Sequence, residues 1–186
     1  AEAEWVFTEK VDGTNCRVIW DGETVEVRVR TDAATLYPPL IKAIEDTFAP
    51  GAMAVKFGAM PVTLYGEGYG AKIQKGHVYR PDQGFALFDA LIGGYWLERE
   101  NLEDIVASLG CEIVPEIHRG VLADGVHIVR SGFFSHVARA HTGNATVEAE
   151  GLIGRPAVQL FDRKGERIQV KIKARDYREC VLEQAA

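Results

Sequence analysis

The sequence has little cysteine and no excess of positive charge. Its three cysteines, Cys16, Cys111 and Cys180, are far apart and show no paired spacing. They offer neither a zinc site nor a disulfide framework, and they suit a reducing compartment. The formal net charge is -6 at pH 7, which argues against a general polyanion-binding surface, because such surfaces depend on clustered lysine and arginine. Any nucleic acid must therefore be bound locally.

Long apolar runs, repeats and low-complexity tracts are also missing. No apolar stretch approaches the length that spans a bilayer, and the opening residues AEAE do not resemble a signal peptide. We therefore expect a cytoplasmic protein with no membrane partner. The 186 residues, 47% of them hydrophobic, suffice for the core of one domain. Since no linker divides the chain, we predict a single domain over residues 1–186, and a monomer.

Short apolar runs with turn signals between them dominate the chain. Strict alternation in residues 25–30, VEVRVR, predicts a strand that an Asp-Gly turn pairs with the run at 16–20. An Arg-Lys-Gly turn at 163–165 predicts the last hairpin, and 113–114 and 126–129 are interpreted as short strands or turns. Further strands are expected at 5–7, 62–65, 85–91, 147–153, 157–161 and 168–173.

Helical spacing is found in three segments. Pro38 and Pro39 open a predicted helix that ends at the Pro-Gly pair at 50–51. Residues 97–109 form an amphipathic helix that Gly110 stops, and 133–140 form a third helix. Because hairpin signals outnumber strand-helix-strand units, we predict an α+β fold dominated by antiparallel strands.

One stretch combines a strand end, a lysine and a glycine turn. Residues 9–15 read EKVDGTN and lie between two apolar runs. Lys10, beside a backbone that Gly13 allows to approach closely, can be held against a phosphate. An ammonium has no lone pair, so attack on phosphorus needs desolvation or neighbouring positive charges that favour the free amine. Lys10 is the candidate nucleophile, and a solvent-facing lysine before a turn is the simpler alternative.

The final predicted strand, residues 168–173, supplies positive charges. A period of two places one set of side chains inward, Ile168, Val170 and Ile172, and the other set outward, Gln169, Lys171 and Lys173. Two lysines on one face repel each other unless an anion lies over them. We predict that they hold the α-phosphate of a nucleotide and stabilise the charge that builds up there. The alternative is a solvated edge strand whose lysines discourage pairing.

Isolated carboxylates and one aromatic residue complete the candidates. Glu150 leads into a glycine-flanked apolar segment, Glu67 lies between two glycines, and Asp12 follows Lys10. Such carboxylates suit a divalent cation at a triphosphate, often through its waters, although surface or turn acids are the simpler interpretation. Phe88 is either an aromatic platform for a purine or a buried side chain of a core strand.

The order of these motifs carries more information than any one of them. Residues 10–15 (KVDGTN), Arg30, Glu67, 88–89 (FD), 150–153 (EGLI) and 171–173 (KIK) resemble the motifs of the covalent nucleotidyltransferases, the polynucleotide ligases and RNA capping enzymes. The KxDGTN form and the arginine twenty positions after the lysine look most similar to ATP-dependent RNA ligases of the RNA ligase 2 type. The resemblance extends over residues 9–173.

This resemblance implies a nucleotidyltransferase (ligase adenylation) fold, in which helices flank twisted antiparallel sheets with a nucleotide pocket between them. It also implies three chemical steps, with Mg²⁺ or Mn²⁺ as cofactor. Lys10 attacks the α-phosphorus of ATP to form lysine-AMP, AMP then passes to an RNA 5′-phosphate, and a 3′-hydroxyl displaces AMP to seal the strand. RNA repair is the process that such chemistry serves.

The resemblance implies a role for each matching residue. Glu9 would lie near the adenine edge, Phe88 and Ile153 against the adenine faces, and Arg30 and Glu67 near the ribose. Asn15 would lie near the phosphate, with Lys171 and Lys173 on the α-phosphate. The residues expected to orient metal-bound waters are Glu150, Asp12 and Glu67.

Ligases of this type usually continue into a second domain that helps to hold the RNA, whereas this sequence ends at residue 186, soon after Lys173. We therefore expect self-adenylylation, with strand sealing assisted by a separate RNA-binding domain or protein. The alternatives are a DNA ligase, which the Thr14-Asn15 pair disfavours, a GTP-using capping enzyme, and a non-enzymatic nucleotide or nucleic-acid binding module. The joint presence of Lys10, Glu150, Lys171 and Lys173 disfavours pure binding, because binding needs no nucleophile.

Overall fold

A computed structural model describes residues 3–29 and 37–177 of the protein. Within these ranges the chain divides into two compact units: unit 1, Ala1–Val11 with Val114–Ala186, and unit 2, Asp12–Ile113. No helix in the described ranges is long and apolar enough to cross a membrane.

The secondary-structure elements are numbered in chain order. The strands are β1 (Trp5–Glu9), β2 (Thr14–Trp20), β3 (Val25–Val29), β4 (Val62–Gly70), β5 (Gln83–Ile92), β6 (Tyr95–Trp96), β7 (Glu112–Ile113), β8 (Glu116–Gly120), β9 (Gly151–Pro156) and β10 (Val170–Lys173). The helices are α1 (Pro38–Thr47), α2 (Pro50–Phe57), α3 (Arg99–Leu109), α4 (Leu122–Ser131) and α5 (His136–Thr142), and Gly76–Val78 forms a 3₁₀ turn.

Unit 1 is built on a four-stranded antiparallel sheet in the order β10-β9-β1-β8. One face of this sheet packs against α4, so that Phe7, Leu152 and Ile172 form a core with Val129 of the helix. Gly125 lets the helix approach this closely, because a Cβ at that position would overlap the ring of Phe7. The opposite face carries the side chains that alternate with this core.

Unit 2 contains a sheet in the order β3-β2-β4-β5-β6, in which only β7 adds a parallel pairing, to β5. One face is buried by α1, α2 and α3. Pro38 and Pro50 lie at the first positions of α1 and α2, where proline costs no helical hydrogen bond. The core residues of this face include Cys16, Val18, Leu40, Ile44, Met53, Leu64, Leu87 and Ile105.

The predicted α+β class with mainly antiparallel strands is confirmed, and so are the strands and helices of residues 5–29, 38–47, 62–65, 85–91 and 99–109. Residues 126–129, interpreted as strands or turns, are instead helical and belong to α4. Their β-branched side chains suggested a strand, but Asp124 accepts a hydrogen bond from the Val121 amide at 2.8 Å and caps the helix. The helical period then turns Gly125 and Val129 toward the sheet.

Other segments also differ from the sequence prediction. Pro50 ends the α1 segment as expected, but it also opens α2. Residues 157–161 form no strand beyond an isolated bridge from Phe161 to Arg167. Ile168 was expected to point inward, yet it is 38% exposed, because β10 begins only at Val170 and the pairing with β9 stops there. Strand β8 was not predicted at all.

Candidate active site

Lys10 directly follows β1 and is held within unit 1. Its backbone amide donates a hydrogen bond to the Gly151 carbonyl at 2.9 Å, so the pairing with β9 continues one residue beyond the strand. Its Nζ donates a hydrogen bond to Oε2 of Glu150. The two side chains are 20% and 25% exposed. The predicted nucleophile is therefore oriented by a carboxylate and does not extend freely into solvent.

Lys10 and Lys173 belong to one row across three strands. Gly151 lies between them, because it accepts the Lys10 amide hydrogen bond and is also the β10 partner of Lys173. Neighbouring strands lie about 4.8 Å apart, so the two lysine backbones are separated by about 10 Å. Two lysine side chains that start from such positions can converge on one phosphate group.

Position 151 accommodates only glycine. Its φ is +151°, and a Cβ at this position would overlap the Ile172 carbonyl oxygen. Any larger residue would push β10 away from β9 beside Lys10. The glycine therefore sets the distance between the nucleophile and the lysines of the last strand.

A second row, Thr8-Ile153-Lys171, runs parallel to the first. We call the sheet face that carries Thr8, Ile153, Lys171 and Lys173 the lysine face. Leu152 and Ile172 alternate onto the opposite face, which is the core. Lys171 is exposed and Lys173 is half-buried, and within residues 3–29 and 37–177 no carboxylate forms a salt bridge with either. The lysine face thus carries uncompensated positive charge, which favours an anion.

Glu9 points away from the lysine face, in contrast to its expected role at the adenine edge. The side chain is 1% exposed, and its carboxylate accepts hydrogen bonds from Ser135 Oγ, the His136 amide (2.9 Å) and the Val137 amide (3.2 Å). Burial raises the pKa of Glu9, and these hydrogen bonds oppose that shift. Alternation along β1 explains the correction, because Glu9 shares the core face with Phe7. The carboxylate therefore fixes the start of α5 and is not available to a nucleotide.

Ser135 is a residue of this region that the sequence interpretation did not single out. Its Oγ accepts a hydrogen bond from the Ala138 amide at 2.9 Å and donates one to Glu9. A serine directly before a helical segment is a typical N-cap, and this signal would have moved the predicted helix start from residue 133 to His136. Its link to Glu9 is not visible in the sequence.

In unit 2, Asn15 of β2 and Glu67 of β4 are direct cross-strand partners. The glycines on either side of Glu67 belong to the core face. A Cβ at Gly66 would overlap the Phe85 ring, and one at Gly68 would lie 2.8 Å from Leu40 Cδ2. These glycines make room for the core, and alternation places Glu67 and Asn15 together on the other face.

Phe88 is the extra residue of a β-bulge between β4 and β5. Tyr65 pairs with Asp89 and Gly66 pairs with Leu87, so two positions of β4 face three of β5. Phe88 is half-buried, whereas Leu87 is fully buried in the core. The alternative of a core phenylalanine is therefore wrong. Bulges commonly redirect a side chain next to a functional site.

The segment after Lys10 is attached to β4 and to the loop that follows it. The Asp12 amide donates a hydrogen bond to the Tyr79 hydroxyl at 3.3 Å. A Cβ at Gly13 would overlap the Gly68 carbonyl oxygen, so this glycine allows the backbone to approach β4 closely, while the approach to a phosphate stays a prediction. Arg30, the expected ribose contact, lies outside the described residues.

The three acids predicted to serve a metal ion do not form a ligand cluster. Within the described part of the chain, no group of three or more His, Cys, Asp or Glu side chains is arranged to hold a metal. Mg²⁺ usually keeps several waters and binds one or two carboxylates together with substrate phosphates. Glu150, the carboxylate beside Lys10, fits that mode, and the water-mediated roles of Asp12 and Glu67 stay predictions.

A cavity of about 240 Å³ in unit 1 lies between the end of α4 and the residues that flank Glu150 and Lys173. None of the residues predicted for the site lines this cavity. The side chains with anion-binding character belong to the open lysine face instead. The cavity is lined by Val129, Arg130, Ser131, Gly132, Phe133, Glu148, Ala149, Ala174 and Tyr177.

A model of the RNA ligase family matches residues 3–173. The chain belongs to the RNA ligase family. This match covers every segment from the lysine motif to β10, in agreement with the resemblance found in the motifs. No curated protein gives a significant match to the sequence.

Solved structures share the fold of this RNA ligase family member. Naegleria gruberi RNA ligase with ATP and Mn superposes with a TM-score of 0.71 at 18% identity, over 96% of this chain and 51% of that one. A structure of the same ligase with AMP and Mn gives 0.71 at 17% identity, over 96% and 52%. An apo structure gives 0.70 at 18%, over 96% and 51%. The chain thus spans about half the length of these ligases.

Proposed function

We propose that this chain is an ATP-dependent RNA ligase or its minimal adenylyltransferase domain, and that residues 1–186 form one nucleotidyltransferase domain. The observation that carries the proposal is the row Lys10-Gly151-Lys173, in which the Lys10 amine donates a hydrogen bond to Glu150. Among the described residues, Lys173 in this row and Lys171 in the next form no salt bridge, so both are suited to bind the phosphate that Lys10 would attack. Family membership over residues 3–173 supports the same chemistry.

In the first step, the lone pair of Lys10 Nζ forms a P–N bond to the α-phosphorus of ATP. The P–O bond to the β-phosphate breaks, pyrophosphate leaves with the bonding electrons, and the amine proton passes to water. Since an ammonium has no lone pair, Lys10 must first give up one proton, for which the Glu150 carboxylate or water is the acceptor; the second N–H proton is the one that passes to water as the P–N bond forms. Lys171 and Lys173 stabilise the charge that develops on the α-phosphate.

Mg²⁺ or Mn²⁺ is the proposed cofactor, and Glu150 is the residue best suited to hold it. When bound, the ion supplies positive charge that offsets the charge of the ATP phosphates. Asp12 and Glu67 are proposed to act through metal-bound waters. This division agrees with a Mg²⁺ site that has few direct protein ligands.

The contacts to adenosine are proposed residue by residue, in the roles that the family resemblance implies. Ile153, on the lysine face, and Phe88, at the β-bulge, are proposed to contact the adenine faces. Asn15 is proposed to contact phosphate. Glu67, its cross-strand partner, is proposed to bind ribose together with Arg30.

In the second and third steps, AMP passes from Lys10 to an RNA 5′-phosphate, and a 3′-hydroxyl then displaces it. The solved ligases that share this fold are about twice as long as the present chain. We therefore propose self-adenylylation as the step that this chain performs, and strand sealing as the activity of the whole ligase.

A labelling experiment tests the proposal. The protein is incubated with Mg²⁺ and either α-labelled ATP or α-labelled GTP, and protein-bound label is tested for stability in acid and alkali. We expect acid-labile, alkali-stable label from ATP, which then moves to RNA carrying a 5′-phosphate. Label from GTP would favour a capping enzyme, transfer to DNA alone would favour a DNA ligase, and no label would leave a binding module.

A further inference from the structure

The connection between β4 and β5 concentrates positive charge in an acidic protein. Residues 71–82 contain Lys72, Lys75, His77 and Arg80 and a single acidic residue, Asp82, in a chain whose formal net charge is -6. We call residues 71–82 the basic loop. A local excess of this kind is the means by which an acidic protein binds a polyanion at one place.

Burial along the basic loop alternates between anchors and exposed polar groups. Ile73, Gly76 and Tyr79 are buried, and a Cβ at Gly76 would overlap the Gly70 backbone. The side chains between these anchors are exposed, namely Lys72, Gln74, Lys75 and His77. The backbone is therefore pinned to unit 2 while its polar side chains face outward.

The backbone of the basic loop is held in an unusual conformation. Lys72 and Gln74 have φ values of 68° and 48°, in the left-handed region that costs non-glycine residues about 1–2 kcal/mol. Hydrogen bonds from the Ile73 amide to Gly70 O (3.0 Å) and from Gln83 Nε2 to Ala71 O (2.6 Å) fix this shape. Such backbone strain persists only where the surroundings enforce it, and it is common at ligand clamps.

The cations of this loop fall into two groups. Arg80 is committed to the fold, because it binds Asp82 at 2.7 Å and Glu112 at 2.5 Å. Lys72 and Lys75, in contrast, form no salt bridge with any carboxylate in the described ranges, and Lys72 Nζ lies 5.9 Å from the Tyr37 ring centroid. Lys72 and Lys75 are therefore the charges that an external anion would meet.

The basic loop is also connected to the lysine motif. It continues directly from β4, which carries Glu67, and its buried Tyr79 accepts a hydrogen bond from the amide of Asp12 at 3.3 Å. Asp12 follows Lys10 by two positions.

We propose that Lys72 and Lys75, with Gln74 and His77 beside them, bind the phosphate backbone of the RNA whose 5′ end accepts AMP. That the ligand is RNA rests on the proposed function, whereas phosphate binding is inferred from the charge and exposure of the loop itself. Contacts of this kind position a strand without reading its sequence. Because they touch RNA and not ATP, they act after self-adenylylation.

The test compares the double variant Lys72→Ala/Lys75→Ala with the wild-type chain. Binding of a 5′-phosphorylated single-stranded RNA is measured by fluorescence anisotropy over a range of salt concentrations, and self-adenylylation is measured separately. Each lost phosphate contact lowers the slope of log Kd against log salt concentration by about 0.7 for single strands. The slope of the double variant should therefore be lower by about 1.4. Its labelling by ATP should stay within twofold of wild type. Lys72→Arg/Lys75→Arg should retain the wild-type slope.

A matched control removes two other exposed lysines, Lys42 and Lys164, and should leave the slope unchanged. An equal loss in the control, an unchanged slope in the loop variant, or undetectable RNA binding by the wild type at low salt would overturn the proposal. Slower labelling at limiting ATP would overturn it too, since the loop would then bind the triphosphate. A wild type that binds RNA through this loop but takes no label would refute the proposed function alone.

Discussion

The ammonium of Lys10 donates a hydrogen bond to the carboxylate of Glu150, although 140 positions separate the two residues in the sequence. Both side chains are partly exposed, and ion pairs in such positions contribute only about 0–1 kcal/mol to stability. The pair therefore adds little to the stability of the fold, and its main effect is on the position of the Lys10 amine. We propose that it sets the position of the Lys10 amine before ATP binds.

Replacing Glu150 by Gln separates its effect on the Lys10 amine from its effect on stability. The variant keeps an acceptor for Lys10 but loses the charge that we assign to the metal ion, so self-adenylylation should fall about 10- to 100-fold. The free energy of unfolding, from urea titration, should change by at most about 1 kcal/mol. Glu166→Gln, at the exposed turn of the last hairpin, is the control. A labelling rate within twofold of wild type would remove Glu150 from the site.

Alanine at Lys171 or Lys173 tests the lysine face. Each substitution removes a charged hydrogen-bond donor from the α-phosphate, an interaction of about 1.5–3 kcal/mol, so single-turnover labelling should slow by about 10- to 150-fold. Lys164→Ala, an exposed lysine of the turn between β9 and β10, should have no effect. If Lys171→Ala and Lys173→Ala label as fast as Lys164→Ala, the lysine face does not hold the phosphate.

Gly151→Ala tests whether the spacing between β9 and β10 matters for the chemistry. The added Cβ would overlap the Ile172 carbonyl oxygen, so β10 must shift and carry Lys173 with it. We expect a loss of stability together with at least a tenfold slower labelling rate. Gly165→Ala is the matched control, because its φ of +78° is strained but nothing lies within 4 Å of the added Cβ. It should cost about 1–2 kcal/mol and leave labelling unchanged, and equal labelling by both variants would contradict the assigned role of Gly151.

Glu9→Gln should change how stability depends on pH. Burial raises the pKa of Glu9 above its ordinary 4.5, and hydrogen bonds from Ser135, Val137 and His136 oppose this shift only in part. The folded protein therefore holds the proton more tightly than the unfolded chain. Its free energy of unfolding should fall as the pH rises from 4.5 through the raised pKa.

Because Gln cannot ionise, the stability of the Glu9→Gln variant does not fall in this way as the pH rises. Urea unfolding of both proteins at a series of pH values measures the difference in free energy of unfolding. That difference should move in favour of Glu9→Gln as the pH rises through the same window. A difference that is independent of pH would show that Glu9 ionises equally in the folded and unfolded states.

The local sequence pattern was sufficient to predict those parts of the site that depend on the two-residue period of a strand. Alternation alone placed Lys171 and Lys173 on the face opposite Ile172, and the glycine turn after Lys10 indicated the close backbone approach at Gly13. The same reasoning failed at Ile168, because alternation cannot tell where a strand loses its partner. At that point the side chain no longer has a core to enter.

Other features depend on contacts that are distant in sequence. Glu9 was grouped with the nucleotide because it adjoins Lys10, but its partner Ser135 is 126 positions away. The bulge at Phe88, after which Ala90 and not position 89 faces the core, results from the register between β4 and β5, which neither strand specifies alone. Residues 126–129 have β-branched side chains, yet packing against Phe7 and Leu152 favours a helix. In each case a tertiary contact decided what local sequence left open.

The central claim is that the amine of Lys10 becomes bonded to AMP, and peptide mapping tests it most directly. The full chain is incubated with ATP and Mg²⁺, digested, and analysed by mass spectrometry, beside Lys10→Ala and Lys10→Arg variants whose folding is verified by circular dichroism. The account predicts one AMP on the peptide that contains Lys10, labile in acid, and none on either variant. An adduct on another residue, an adduct that persists in Lys10→Ala, or no adduct on the folded wild type would contradict it.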